Sequence, residues 1–291
     1  KYDFRNVIAG TLTMDEFVAN LSDSELALLS CGNKIGQIGR ISERGIPEAY
    51  WSDGPVGYRQ NFTVTVYPSS TMLASSFNKE LAYEFGKSIG CEGNLYNIDV
   101  WLAPAINIHR DPCCGRNFEY MSEDPYVSGI ISAYVVNGVE EFDVSTTVKH
   151  FAANNTEYQR MKSNSRVSAR ALREIYMKAF EIAIELSQPM AIMTSYNHIN
   201  GIKVSENPIF CNEILRKEFG FEGLIMSDFS NDSIHVKELA ATQDLKMNFG
   251  DPKSVCEALA NGTLSRQTVR DCIKRVLNLI MLTTVTNEKK K

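Results

Sequence analysis

Gly220-Phe-Glu-Gly-Leu-Ile-Met-Ser-Asp228-Phe229 decides the fold. A turn-forming glycine leads into a short apolar run, and the run stops on a carboxylate. An apolar stretch of this length bounded by glycine reads as a buried strand. A buried strand ending in Ser227-Asp228 delivers the aspartate to the rim of a sheet, where the chain leaves the core. In a (β/α)8 barrel that rim carries the active site. The competing reading is that Asp228 merely caps a helix beginning near Asp232.

The same pattern recurs upstream. Ala49-Tyr-Trp-Ser-Asp53 runs into the turn Gly54-Pro-Val-Gly57 and puts Asp53 at a strand end. Ile98 to Pro104 reads as a strand, and Ser145 to Phe151 as one ending in Lys149 and His150. Met190 to Asn197 reads as a strand ending at Tyr196, and 245–248 as a further short one. Helices are expected over 126–141, 168–187, 208–219, 232–241, 252–260 and 264–284. Another is expected over 71–90, where Leu73, Phe77, Leu81 and Phe85 recur at i, i+4. Thr13-x-x-Glu16 and Ser22-x-x-Glu25 are capping-box patterns in a lead-in helical region. Strands alternating with helices imply a parallel sheet with right-handed crossovers. The expectation is an α/β chain folded as a (β/α)8 TIM-type barrel of six or seven legible units, incomplete or irregular in its first or last ones. A doubly wound open sheet is the alternative, but its Gly-rich phosphate fingerprint is absent. The organisation expected is a lead-in helical segment over 1–28, the barrel over 29–285, and a disordered tail over 286–291.

A chain of 291 residues, 44% hydrophobic and 22% charged, is long enough for one such barrel. The net charge of −5 and the lack of a basic run before the tail argue against nucleic acid or an anionic membrane as partner. Nothing resembles a transmembrane span or a signal peptide. Lys1 rather than Met in first position reads as a segment processed or excised from something longer. Seven cysteines without CxxC pairs read as free thiols in a reducing compartment, so a cytoplasmic location is expected. The sequons at Asn61, Asn154, Asn231 and Asn261 are discounted accordingly. The four histidines are scattered and show no metal-ligand spacing, and no cofactor is implied.

The strand ends and the loops after them deliver Asp53, Arg116, Lys149, His150, Arg160, Tyr196 and Asp228, while the strand bodies are apolar. Each has a plainer explanation alone. Asp53 in Ser-Asp-Gly-Pro is a common turn former. Arg116 has Glu119, Glu123 and Asp124 nearby for loop salt bridges. Lys149 at a strand end also suits a Schiff-base enzyme. His150 and Tyr196 can be core residues, and Arg160 a solvated loop charge. Together they suit a buried sugar. Charged groups make the strongest hydrogen bonds to its many hydroxyls, and a second carboxylate under the anomeric carbon can act as nucleophile. Nearby cations would keep that carboxylate ionised.

Seven segments carry a family resemblance. They are Ser52-Asp-Gly-Pro-Val-Gly57, Leu102-Ala-Pro-Ala-Ile-Asn-Ile-His-Arg110, Gly115-Arg-Asn-Phe-Glu-Tyr-Met-Ser-Glu-Asp-Pro125, Lys149-His-Phe-Ala-Ala-Asn-Asn155, Leu172-Arg-Glu-Ile-Tyr176, Ser195-Tyr-Asn-His-Ile-Asn-Gly201 and Gly223-Leu-Ile-Met-Ser-Asp228. In this order, over about residues 49–284, the chain resembles the barrel domain of glycoside hydrolase family 3, on its β-glucosidase branch. The resemblance implies a retaining, exo-acting hydrolase of terminal β-glucosyl residues with Asp228 as nucleophile. Asp53, Arg116, Lys149, His150 and Arg160 would hold sugar hydroxyls. Tyr196 would lie against the nucleophile and Met193 would line the pocket.

Three departures qualify the match. The residue after the nucleophile is usually Trp; here Phe229 can stack on a sugar but offers no N–H. It is followed by Ser230-Asn231 where the family has small residues. Residues 151–197 hold no histidine, which argues against the N-acetylglucosaminidase branch. No general acid/base can be assigned, because the family's β-glucosidases take it from an α/β sandwich domain. The segment from Leu12 to Leu26 resembles rearranged members that place that sandwich before the barrel. The partners expected are therefore a β-glucoside or oligosaccharide and a sandwich domain of the parent polypeptide. A sugar-binding barrel without catalysis, a β-xylosidase of the same family, and a Schiff-base enzyme using Lys149 are the alternatives.

Overall fold

The computed structural model describes residues 2–34, 37–39, 41–248 and 250–285. The tail expected over 286–291 lies outside the described residues. The chain opens with helices α1 (Phe4–Ile8), α2 (Met14–Ala19) and α3 (Asp23–Leu29). Both capping boxes form. Thr13 Oγ1 accepts the Glu16 N–H while Glu16 accepts the Thr13 N–H, and Ser22 and Glu25 repeat the exchange.

Strands β1 (Gly32–Lys34), β2 (Gln37–Ile38) and β3 (Ala49–Asp53) come next, then α4 (Ser70–Ser75), α5 (Lys79–Leu95) and β4 (Val100–Leu102). After α6 (Pro125–Glu140) come β5 (Ser145–Phe151), the short β6 (Asn164–Ser165), α7 (Ala169–Ala171) and α8 (Lys178–Ser187). A π-type turn, Leu172–Tyr176, joins the last two, and Ser168 caps the run as its sequence position suggests. Strand β7 (Ala191–Thr194) and the hairpin β8 (His198–Ile199) and β9 (Ile202–Lys203) precede a π-wound helix, Ile209–Glu218. Strand β10 (Leu224–Met226), α9 (His235–Ala240), α10 (Pro252–Ala260) and α11 (Arg266–Ile280) complete the order.

The main sheet runs β1-β2-β3-β4-β5-β7-β10. Every pair from β3 to β10 is parallel, whereas β2 lies antiparallel to both β1 and β3. The circuit of backbone hydrogen bonds then returns to its start. Met226 bridges Leu245, and Lys246 bridges Cys31, both in the parallel sense. Lys246 donates its N–H to Ser30 O at 2.9 Å and accepts from Gly32 at 3.0 Å. The expected short strand at 245–248 is this bridge. The reversed β2 is the irregularity expected among the first units.

Its sequence carries no alternation or apolar run to announce it. One helix differs from its expected form. The 71–90 periodicity spans a break, because Phe77 takes φ +50° between α4 and α5 and is 77% exposed. Asn78 caps the new helix by accepting the Leu81 N–H at 2.9 Å. Helix α5 turns Ala82, Gly86, Ile89, Gly90 and Gly93 inward; of the expected series Leu73 is buried in the same core and Phe85 packs half-buried against it, while Phe77 and Leu81 are exposed.

Side chains of α1–α3, α10 and α11 share one apolar core with Val100, Leu102, Met193 and Met226 of the sheet. The outward face of β5, β7 and β10 packs on α8 and the Ile209–Glu218 helix. Polar side chains are left for the rim.

Candidate active site

The register sets the site. Lys149 pairs with Met193, and Met193 with Met226, so three parallel strands end abreast. Asp228 stands two residues past Met226. Asp53 closes β3 opposite Leu102. Strand residues alternate in facing, yet Lys149 and His150 both line one cavity. The register shifts between Lys149 and Phe151, which lets consecutive side chains reach the same side. Asn107 fixes that irregular backbone, accepting the His150 N–H at 2.8 Å and donating to the His150 carbonyl at 2.9 Å.

The cavity holds about 390 Å3, a size suited to a small polar ligand. Asp53, Arg116, Lys149, His150, Arg160, Met193, Tyr196, Asp228 and Phe229 all line it, so the expected residues converge. Arg59, Phe118, Glu119 and Glu157 line it as well, unforeseen from the sequence. Glu119 lies inside the Gly115–Pro125 motif, where it read only as a loop partner. Arg59 and Glu157 sit in loops with no strand-end signal.

The cations come with counter-charges already in place. Lys149 Nζ is 2.6 Å from Asp53 Oδ1, and Arg59 Nη1 is 3.1 Å from Asp53 Oδ2. Arg116 Nε donates to Glu119. Arg160 Nη1 is 2.8 Å from Glu157, and its guanidinium stacks 4.7 Å over the Tyr196 ring. Arg116 thus makes the loop salt bridge and lines the pocket too.

Asp228 differs. Oδ1 accepts only the Phe229 N–H, at 2.7 Å. Oδ2 has no hydrogen-bond donor among the described residues, and the nearest basic atom, His150 Nε2, stands 3.7 Å away. Burial pushes the His150 imidazole well below its ordinary range, and the charges of Arg116, Lys149 and Arg160 push the same way. That histidine is neutral. Burial raises the Asp228 carboxyl, against the pull of Lys149, the Phe229 N–H, Arg116 and the Tyr196 hydroxyl. Lys149 and Arg116 thus favour the ionised form, and burial opposes them with the larger effect. At Asp53 the balance is reversed. Burial raises it, but Lys149 and Arg59 win and hold it below the usual carboxylate range.

Asp228 caps no helix, since α9 starts at His235 behind Ile234. Phe229 stacks on Trp51 with centroids 4.7 Å apart. Its carbonyl accepts the Tyr196 hydroxyl at 2.7 Å, and the same hydroxyl lies close enough to Asp228 for each group to shift the other's titration. Lys149, held in an ion pair, is not the free amine that Schiff-base chemistry needs. No helix among the described residues is long and apolar enough to cross a membrane.

Comparison with known proteins adds a second line of support. The model of the "Glycosyl hydrolase family 3 N terminal domain" matches residues 20–279. Beta-glucosidase A of Butyrivibrio fibrisolvens is 42% identical over 91% of this chain, which covers 33% of that protein. An exo-alpha-(1->6)-L-arabinopyranosidase of Bifidobacterium breve is 39% identical over 79% of the chain, covering 32% of its own length. Beta-glucosidase 3B from Thermotoga neapolitana in complex with glucose superposes with a TM-score of 0.91 at 36% identity, over 95% of this chain and 43% of that one. The chain spans about a third of the length of the curated relatives it matches.

Proposed function

This chain belongs to glycosyl hydrolase family 3, and we propose that it is the nucleophile-bearing barrel of a retaining, exo-acting β-glucosidase. In this reading residues 29–285 form the barrel domain and 1–28 lead into it. Asp228 attacks the anomeric carbon of a terminal β-glucosyl unit through an oxocarbenium-like transition state, and water later releases glucose. Asp53, Arg116, Lys149, His150 and Arg160 hold the ring hydroxyls, with Met193 and Phe229 against its faces. A cytoplasmic location fits the seven free cysteines.

One observation carries the assignment. Of the four carboxylates lining the cavity, Asp53, Glu119 and Glu157 each pair with a lysine or arginine, and Asp228 alone has no such ion-pair partner among the described residues. An oxygen with free lone pairs in a dry site is what a nucleophile requires. The same pattern leaves no uncommitted carboxyl to protonate the leaving group. We therefore assign the general acid to a sandwich domain outside this chain. The arabinopyranosidase relative supports a second reading, an exo-glycosidase acting on a pyranoside other than glucose.

The test is incubation with 2-deoxy-2-fluoro-β-D-glucosyl fluoride followed by peptide mass spectrometry. A fluoroglucosyl adduct on Asp228, lost in Asp228→Asn, is the expected result. Reversible binding without an adduct would leave a sugar-binding barrel.

A further inference from the structure

The loop that leaves Asp228 is tied to a buried cation with no part in the pocket. Lys246, only 5% exposed, belongs to the bridge that returns the sheet to its start. Its Nζ donates to Asn231 Oδ1 at 2.5 Å, to Ser233 Oγ at 2.9 Å and to the Ser233 carbonyl at 3.0 Å. It lies 3.2 Å from Glu238 Oε2 of α9, a carboxylate 1% exposed. Asn231 Nδ2 donates back to Glu238 Oε1 at 3.0 Å, and Ser233 Oγ contacts the same oxygen. Asn231 therefore bridges both members of a buried ion pair. This accounts for an asparagine following Phe229-Ser230, the departure that pocket chemistry leaves unexplained.

The geometry points to Lys246, Glu238 and Asn231 as positioning residues for Asp228, acting through the turn at 229–233. This rests on the reading of Asp228 as nucleophile. Phe229 is held from the pocket side by Tyr196 and Trp51. Ser230, at φ +51°, gives its N–H to Met247 O at 3.3 Å, and Met247 in turn donates to Ser227 Oγ at 2.9 Å. Beyond Ser230 the side-chain ties of the turn run to Lys246 and Glu238 at Asn231 and Ser233, and to Lys203 at Asp232. A buried, fully hydrogen-bonded pair is stiff, because any shift strands a charge away from water. Fastened there, the turn cannot let the Asp228 carboxylate swing away from a sugar held by residues on other strands.

The test compares the wild-type chain with Asn231→Ala, which removes the Asn231 bridge and leaves the ion pair and its contacts with Ser233 in place. A second variant, Lys246→Met with Glu238→Leu, replaces the pair by apolar groups of similar size. Three quantities are measured: the labelling rate constant at saturating 2-deoxy-2-fluoro-β-D-glucosyl fluoride, the dissociation constant for glucose, and backbone hydrogen exchange over 229–233. Both variants should label about 10- to 100-fold more slowly while glucose affinity stays within about twofold, because the loss is one of orientation at the reacting atom. Exchange over 229–233 should accelerate. Wild-type labelling rates, equal losses in rate and affinity, or unchanged exchange over 229–233 would each overturn the inference. A wild-type chain that takes no label defeats the reading of Asp228 instead, and the exchange measurement then decides the anchoring by itself.

Discussion

Asp228 sits where stability would not put it. Its carboxyl is 5% exposed and its titration is raised by burial, so the folded state resists ionising it. A carboxyl whose folded pKa lies above its unfolded value binds more protons folded than unfolded. The ionised form therefore costs stability at every pH above the folded value, and that cost fades as pH falls through the raised range. Asp228→Asn should be the more stable protein at neutral pH, with the difference shrinking under acid conditions. Thermal melts of the two proteins across pH check this. Equal melting temperatures at pH 7 would mean that the site does not strain this group. The same direction governs chemistry. The nucleophile must be ionised, so the acid limb of labelling should lie above 3.8, the ordinary value for aspartate. At this scale the sequence was legible where an ionisable side chain ended an apolar strand, as at Asp53, Lys149 and Asp228. It was not legible at Arg59 and Glu157, because ion pairing between loops is a three-dimensional fact.

Elements tell a different story about what a sequence exposes. Strand β5 falls on the expected 145–151, and helix α6 within one residue of the expected 126–141 at each end. Helix α5 covers the second part of the helix expected over 71–90, but its buried face is mostly small: Ala82, Gly86, Gly90 and Gly93, with Ile89 the one large residue among them. Gly86 and Gly138 let α5 and α6 approach so closely that a Cβ on either would stand 2.2 Å from a backbone carbonyl, of Val135 and of Tyr83 respectively. The large residues Phe77 and Leu81 point outward instead. Alanine in a helix interior ordinarily gains about 1 kcal/mol over glycine. Here the clash is with backbone, which cannot rotate away, and overpacking costs about 1–3 kcal/mol. Gly86→Ala should therefore lower stability by up to about 2 kcal/mol net, read from the midpoint of urea unfolding. A stabilised variant would show that the two helices have room to part.

On the proposed reading, the molecule as a whole holds a sugar site whose reaction needs one group more. The barrel was readable from the alternation of elements, and its reversed β2 was not, since two residues without pattern announce nothing. What the circuit of strands achieves is convergence: Asp53, Lys149 and Met193 come from three strands and Asp228 follows a fourth, with Asp53 and Lys149 paired across the sheet. Ground-state binding needs nothing more. Cleavage of an unactivated glucoside also needs a proton for the leaving oxygen, and the pocket's remaining carboxylates are bound to Lys149, Arg59, Arg116 and Arg160. General acid catalysis contributes about 10²–10⁴-fold. The chain should therefore hydrolyse cellobiose slower by about that factor than a family member carrying its own acid. A 2,4-dinitrophenyl glucoside, whose leaving group departs as a stable anion, should lose far less. Steady-state kinetics on the two substrates measure the ratio directly. If cellobiose is cleaved at an ordinary enzymatic rate, the acid lies among these residues. Glu157, in a partly exposed pair with Arg160, is then the first to replace by glutamine.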